Sequence, residues 1–552
     1  MVKNVGYIIL CLSIVMLISC KSHKTSSIDT SSINPKDSNT SKNIRLYFAQ
    51  EHLQHQKLLK EVKLNSKYFI YSHYLLRAFN PYWSKDAKIK EMADKALSLL
   101  SRAKEFGLDP ADYDYAEIYN LANAIAQRKK AADNGEMLGA FDLKLTNSML
   151  LFISHLHNGR LNPYTLTVVK SLHRSKDDLF TILNGAMDSD DFTTTLLKCQ
   201  PENKAYHLLQ QALVGYLKTN HQYSDFPIPN RKKDSIGYYK VITNLLINQG
   251  YLTPFSDTLP RSMKIKEISN AVKRFQHFHG LIEDGKFGQS TLYALSIPEC
   301  QRYQQMVINM ERWRWEPSFE KDYLFINIPS YVLSVIHEDD VLLKHKVIVG
   351  LAEHPTPQLS SKIDYFIVFP EWSIPYSIST KEILPILKEN PSYLDEKNYV
   401  LLNKENKEID PYSINWGEVD ENNFNYYIRQ ASGDDNALGF IKFIFPNVYS
   451  VYLHDTPFRT LFEKEARSFS HGCVRIENPL VLADYLLRRD SSKISLKKLE
   501  EYIEKKTTQH IRLKHPMPLH IKYFTCMASS EGLFFYDDVY DLDDRIINAF
   551  FN

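Results

Sequence analysis

Two short segments set the terms for the chain: Ser468-Phe-Ser-His-Gly-Cys-Val-Arg-Ile-Glu-Asn478 and, upstream, Val451-Tyr-Leu-His-Asp-Thr-Pro457. The first holds Cys473, with His471 two residues before it and Arg475 two residues after; the second holds His454. A thiol is a useful nucleophile only as thiolate, and a nearby imidazole is the usual means of making one. Polarity this dense does not suit a buried core cysteine. A cysteine and a histidine on separate extended segments come side by side when a sheet pairs those segments, so this feature calls for a β-rich domain.

The surrounding sequence agrees. Tyr323–Pro329, Tyr331–Ile336, Leu342–Val349, Tyr365–Phe369, Phe440–Phe445 and Val448–Leu453 are β-branched and aromatic runs, which predict strands. They place a mostly β catalytic domain at about 320–500. Inside it, 371–432 is polar and mixed, with a short helix expected over Thr380–Leu387. An insertion this long is either a functional lid or disordered, and a lid is expected. Residues 501–552 read as an extension packing on the catalytic domain, with a strand at Pro516–Ile521.

Residues 1–19 read as an export signal: Lys3, then an apolar run from Tyr7 to Ile18 too short for a convincing spanning helix. Leu17-Ile18-Ser19-Cys20 resembles a bacterial lipobox, which implies cleavage before Cys20 and its lipidation. Residues 20–44 are rich in Ser, Thr, Lys and Asn and form a lipid-anchored tether. From 45 to 230 the pattern is helical, with Met92, Ala96, Leu99, Leu100, Ala103 and Phe106 on one face. His155 and His157 have no third ligand spaced to join them in a metal site. Residues 232–297 form a smaller helical module punctuated by Gly280-Leu-Ile-Glu-Asp-Gly285. Charge is balanced, 67 basic against 65 acidic side chains in 552 residues, so no nucleic-acid partner is indicated. The six cysteines are scattered without a CxxC pair, which excludes a disulfide scaffold or a zinc ribbon.

His454 with Ser470-His471-Gly472-Cys473-Val474-Arg475 resembles the catalytic signature of the L,D-transpeptidases, the YkuD-type family. Phe79-Asn-Pro-Tyr-Trp83, Gly107-Leu-Asp-Pro110, Gly159-Arg-Leu-Asn-Pro163 and Asn309-Met-Glu-Arg-Trp313 resemble landmarks of its large YcbB-type branch, and Val272 to Leu295 resembles the three-helix peptidoglycan-binding domain. The resemblance implies a multidomain α+β protein: a helical scaffold domain, a peptidoglycan-binding-like domain and a sandwich-like catalytic domain with an inserted capping subdomain.

In that frame Cys473 is the expected nucleophile and His454 the expected base, with a backbone carbonyl, not an acidic side chain, orienting the imidazole. Strand alternation puts Ser450, Tyr452 and His454 on one face. The N–H groups around Gly472 and Cys473 are candidates for an oxyanion hole. Ser470 and His471 would orient the pair; Tyr452 and Arg475 would face substrate, Arg475 pairing with a carboxylate. The implied reaction is 3→3 cross-linking of peptidoglycan through a thioester with a tetrapeptide stem, releasing D-Ala. Water or a free D-amino acid as acceptor, giving an L,D-carboxypeptidase or an exchange enzyme, is the alternative on the same thioester. A non-catalytic wall-binding lipoprotein, a general thiol protease, and a metal site built from His454, His471 and Cys473 are further readings; no metal or cofactor is expected. Peptidoglycan and the membrane are expected partners, with other cell-wall enzymes as candidates. The expected location is the periplasmic face of the envelope. Because Lys21 rather than Asp follows Cys20, the outer membrane is preferred to the inner.

Overall fold

The computed structural model describes residues 39–50, 56–128, 134–163, 176–219, 227–256 and 260–552. The signal segment, Cys20 and the tether up to residue 38 lie outside the described residues. The chain divides into two compact units, one drawn from Met1–Ala103, Asp109–Ile153 and Ser175–Lys198, the other from Lys104–Leu108, Ser154–Arg174 and Cys199–Asn552.

The first unit is helical apart from a small hairpin of β1 (Ser84–Lys85) and β2 (Lys88–Ile89). At its centre a buried carboxylate, Asp142, accepts from Tyr74 Oη at 2.6 Å and from the backbone N–H groups of Tyr82 and Trp83 at 2.9 and 2.7 Å. The Asn80–Trp83 bend is therefore held by one side chain on the helix Gly135–Asn158. Burial lifts that carboxyl to about 6, against the pull of three hydrogen bonds. The helix Asn39–Ala49 begins inside the segment read as tether, with Thr40, Ser41, Asn43 and Ile44 buried. Ile44, Tyr47 and Phe48 give the helix an apolar face that the Ser/Thr/Asn composition disguised.

The helix Lys204–Lys218 belongs to the second unit, where Tyr206, Leu209 and Leu213 share a core with Met306, Met310 and Trp313 of the helix Glu299–Arg314. In the same unit, helices Ser235–Asn248, Arg261–Phe278 and Gln289–Ser296 enclose Ile242, Leu246, Val272, Phe275 and Leu295. Buried Gln276 ties their turn together. It donates to the Asp284 carboxylate at 2.9 Å and Thr291 Oγ1 at 3.1 Å, and accepts from Gly285 N–H at 2.8 Å.

The remainder of the second unit is built on a nine-stranded sheet. Its strands are β3 (Asp322–Asn327), β4 (Val332–His337), β5 (Asp340–Gly350), β6 (Leu359–Val368), β10 (Ile441–Ile444), β11 (Leu453–His454), β12 (Ser468–Ser470), β13 (Val474–Ile476) and β14 (Gln509–Lys522). They run in the order β12-β5-β13-β11-β10-β6-β14-β3-β4, and β4 also pairs with β5, so the sheet closes on itself. Closure removes most of the open edge. Leu324, Val335, Val349, Phe366, Phe443, Leu453, Val474 and Leu519 fill the interior.

The C-terminal region, read as an extension packing on the catalytic domain, supplies a strand of the sheet. Strand β14 lies between β6 and β3, antiparallel to one and parallel to the other. Its two prolines sit beside an irregularity between Arg512 and Met517, where the Asp490 carboxylate takes the N–H groups of Lys514 and His515 at 2.8 Å each. A proline-containing central strand is tolerated at such a bulge. Farther on, β15 (Cys526–Ser529) and β16 (Gly532–Phe535) form a hairpin.

The insertion folds on its own core of Ile374, Leu384, Leu387, Leu401, Trp416 and Ile428. It comprises the sheet β7-β9-β8 (Trp372–Ser373, Tyr427–Gln430, Tyr399–Leu402) and a helical run from Tyr376 to Glu389 that contains a π-helical stretch, Ser379–Ile383.

Candidate active site

Strand alternation decides which side chains leave the core. Ile441 and Phe443, Leu453, and Val474 and Ile476 all point into the closed sheet. Their neighbours Lys442, Tyr452 and His454, and Cys473 and Arg475 therefore share the outer face. Register aligns them: Leu453 and His454 pair in parallel with Val474 and Arg475, and Lys442 pairs with His454 across β10 and β11. The sheet thus brings Cys473, Tyr452, His454 and Arg475 together, with Lys442 beside them. Ser450 is not in that row. Its φ of 57° breaks the alternation before the strand begins, so the expectation of three residues on one strand face holds for Tyr452 and His454 alone.

His454 is buried, and its Nδ1–H donates to the Asp455 carbonyl at 2.5 Å. A carbonyl only accepts, so Nδ1 carries the proton and Nε2 keeps its lone pair. The Asp455 carboxylate faces elsewhere and accepts from Phe440 N–H at 3.0 Å. Burial first, then Arg475 and Lys442, push His454 down to about 3. Burial likewise raises the Cys473 thiol above its ordinary value, and it outweighs the opposing pull of Tyr452, Lys442 and Arg475. Both shifts favour the neutral forms of the thiol and the imidazole.

Tyr452 is the neighbour that, after burial, acts most on the Cys473 thiol, pulling it down. Its hydroxyl accepts from Trp372 Nε1 at 3.1 Å, which ties the first strand of the insertion to the site. Ser470 Oγ donates to the Cys473 carbonyl at 2.5 Å and accepts from Gly472 N–H at 3.2 Å. That contact corrects the expected oxyanion hole. The Gly472 N–H is engaged within the turn, so Cys473 N–H is the candidate donor of the two. Gly472 itself, at φ 104°, is a glycine for conformational reasons. The turn is locked from below by buried Thr356, whose hydroxyl donates to the Gly472 carbonyl at 2.9 Å and accepts from Gly350 N–H at 2.8 Å.

His471 is not brought to the cysteine–histidine pair. Its Nε2 meets the Glu382 carboxylate at 2.8 Å and its ring stacks on His354 at 5.3 Å. Glu382 lies on the π-helical stretch of the insertion, a conformation that often marks functional positions. Sequence reasoning missed Lys442, Trp372, Glu382 and Thr356. Only Lys442 left a signal, as a lone cation alternating with apolar residues in Phe440-Ile-Lys-Phe-Ile-Phe445. Among the described residues no group of three or more His, Cys, Asp or Glu side chains could hold a metal, and no helix is long and apolar enough to cross a membrane.

Residues 321–496 match the L,D-transpeptidase catalytic domain of the YkuD family, 69–213 a scaffold domain, and 240–295 a family described as "Putative peptidoglycan binding domain". The chain therefore carries a YkuD-type L,D-transpeptidase catalytic domain alongside a scaffold domain and a peptidoglycan-binding domain. It is 36% identical over 269 residues to a "Putative L,D-transpeptidase" of Haemophilus influenzae, an alignment covering 47% of this chain and 54% of that protein. The chain thus spans about half the length of that curated relative. Solved structures with detectable likeness include an L,D-transpeptidase from Stackebrandtia nassauensis (14% identity, 55% of this chain and 97% of that one, TM-score 0.20). Another is an L,D-transpeptidase from Mycobacterium smegmatis (11% identity, 37% and 60%, TM-score 0.16).

Proposed function

We propose that the protein is a peptidoglycan L,D-transpeptidase forming 3→3 cross-links. The observation that supports this reading is the parallel pairing of β11 and β13, which puts Cys473 and His454 on one outer face of neighbouring strands, with the His454 Nδ1–H held by the Asp455 carbonyl. Cys473 Sγ attacks the carbonyl of the third stem residue while His454 Nε2 takes the thiol proton. The C–S bond forms, the C–N bond to the terminal D-Ala breaks, and His454 returns the proton to the leaving amine. The side-chain amine of a second stem then attacks the thioester; a C–N bond replaces C–S, and the thiol regains a proton through His454. Amide-bond energy is kept in the thioester, so the exchange is near-neutral without an energy source. Cys473 N–H is the candidate donor to the developing oxyanion.

The insertion closes the site as a lid, through Trp372 on Tyr452 and Glu382 on His471. The lipobox-like Ser19-Cys20 and the polar segment after it support a lipoprotein held by Cys20 at the periplasmic face of the outer membrane, with the tether and the wall-binding module delivering the site to peptidoglycan.

The test is intact mass of the full chain in detergent after exposure to a carbapenem, wild type beside Cys473→Ala. A covalent adduct on wild type alone is expected, and folded wild type without an adduct refutes the reading. Muropeptide analysis then identifies the acceptor: a cross-linked dimer supports transpeptidation, whereas tripeptide alone makes the enzyme an L,D-carboxypeptidase.

A further inference from the structure

The reaction above gives no task to Lys442. This lysine stands on the outer face of β10, in register with His454 on one side and Ile367 on the other. Its Nζ lies 3.7 Å from the centre of the Tyr452 ring, a cation–π seat that fixes the ammonium over the residue that acts on the thiol. Arg475 lies on the same face, with a buried Nε that has no hydrogen-bond partner. Among the described residues neither cation is ion-paired, and the Cys473 thiol is the neighbour whose charge acts on both.

Other withdrawn cations in this unit have partners of two kinds: Arg302 and Arg467 donate to neutral carbonyl or amide oxygens, and three more meet a carboxylate. Arg312 has Asp543 at 2.6 Å, Arg314 has Glu311 at 3.1 Å, and Lys522 has Glu316 at 2.5 Å. Two cations drawn partly out of water without a counter-charge are costly to keep. They do not serve to hold a resting thiolate, because burial of the thiol outweighs both of them. Their charge awaits an anion that arrives with the substrate.

We propose that Lys442, with Arg475, receives the terminal α-carboxylate of the residue that leaves, making Lys442 a specificity-determining residue for donors in which a single amino acid follows the scissile bond. The inference rests on the transpeptidase reading. In such a donor the carboxylate oxygens lie about 3.5 Å from the scissile nitrogen, two bonds and a C–O away. An anion so close to the attacked carbonyl falls beside the sulfur, where the two cations are. A donor one residue longer places an uncharged amide there and leaves both cations unpaired. Lys442 keeps its protons throughout, and the carboxylate departs with the amine whose C–N bond breaks.

The experiment uses the full chain in detergent and a synthetic tetrapeptide stem ending either in D-Ala or in D-Ala amide. Single-turnover release of D-Ala and of D-Ala amide is followed by mass spectrometry, for wild type, Lys442→Met, Lys442→Gln and Lys442→Arg. Wild type is expected to prefer the acid. The Met and Gln variants are expected to lose about 10- to 100-fold of that preference, the worth of a charge-assisted hydrogen bond, and the Arg variant to retain most of it. Protection of Cys473 from iodoacetamide, equal to that of wild type, reports that each variant is folded. An unchanged acid-to-amide ratio in both neutral variants overturns the assignment, as does a wild type that releases both leaving groups equally fast. A wild type that releases neither instead overturns the transpeptidase reading itself.

Discussion

Thr356→Val tests whether the nucleophile is positioned from beneath. Threonine and valine have nearly the same shape, so the substitution removes a hydroxyl and leaves the packing. That hydroxyl is buried and accepts from Gly350 N–H at 2.8 Å while donating to the Gly472 carbonyl at 2.9 Å. Valine leaves a buried donor and a buried acceptor unpaired. An orphaned buried polar group costs about 1–3 kcal/mol, with a donor at the upper end because a carbonyl more easily finds a second partner. The pair sums to about 2–4 kcal/mol, a large share of the stability of a typical domain. Relief is not available locally: a Cβ on Gly350 would lie 2.1 Å from the His354 carbonyl oxygen, so the loop already sits against the strand. The Thr356 N–H keeps its own bond to Tyr540 Oη at 3.1 Å, so the loop stays anchored at one end. The assay is protection of Cys473 from pulse alkylation across a urea series, read by peptide mass spectrometry, beside the rate of carbapenem acylation. The variant should lose Cys473 protection at markedly lower urea and acylate at least tenfold more slowly, because the 472–473 peptide plane is no longer fixed. A midpoint within about 0.5 kcal/mol of wild type together with an unchanged acylation rate would refute the reasoning.

Three further outcomes follow from the same geometry. His454→Ala should abolish acylation, whereas His471→Ala and Glu382→Gln should each slow it by a few-fold and, combined, by little more than either alone, since a half-exposed pair of this kind is worth at most about 1 kcal/mol; additive losses would show that the two act separately. With the Cys473 thiol raised by burial, its alkylation by iodoacetamide should stay slow at neutral pH and rise only beyond the ordinary thiol range. With His454 held down to about 3, no imidazole inflection should appear between pH 5 and 8, and a plateau of fast alkylation at neutral pH would contradict both. A chain ending at residue 500 should be insoluble or unfolded in its catalytic domain, because it lacks the strand joining β6 to β3; a soluble truncation that still takes a carbapenem would overturn that topology.

What could be read in the sequence was whatever depends on local pattern. Five of the six runs of β-branched and aromatic residues became strands, whereas Val448–Leu453 begins as a turn and is extended only at Leu453; two polar segments named a cysteine and a histidine that a sheet could pair. Alternation then placed Tyr452 on the His454 side, because a period of two is written in the sequence itself. Several of the differences involve partners distant along the chain. Strand β14 carries two prolines and alternates His, Arg and Lys with its apolar residues, and only the bulge held by Asp490 and the strands on either side make it a central element. The helix Lys204–Lys218 resembles its helical neighbours, yet the residues completing its apolar face come a hundred positions later. Gly472 N–H seemed free for an oxyanion because nothing local announces that Ser470 folds back to take it. Lys442 shows the limit most sharply. Alone, it is the polar residue of an alternating strand and reads as a solvated lysine; its meaning lies in what faces it. Tyr452 lies beneath it, Arg475 lies two strands away on the same face, and no described carboxylate answers either cation. Unanswered charge of that kind comes into view only once the sheet is closed and every nearby anion is accounted for. It directs attention from the thiol, which the sequence motif already marked, to the carboxylate the substrate must bring.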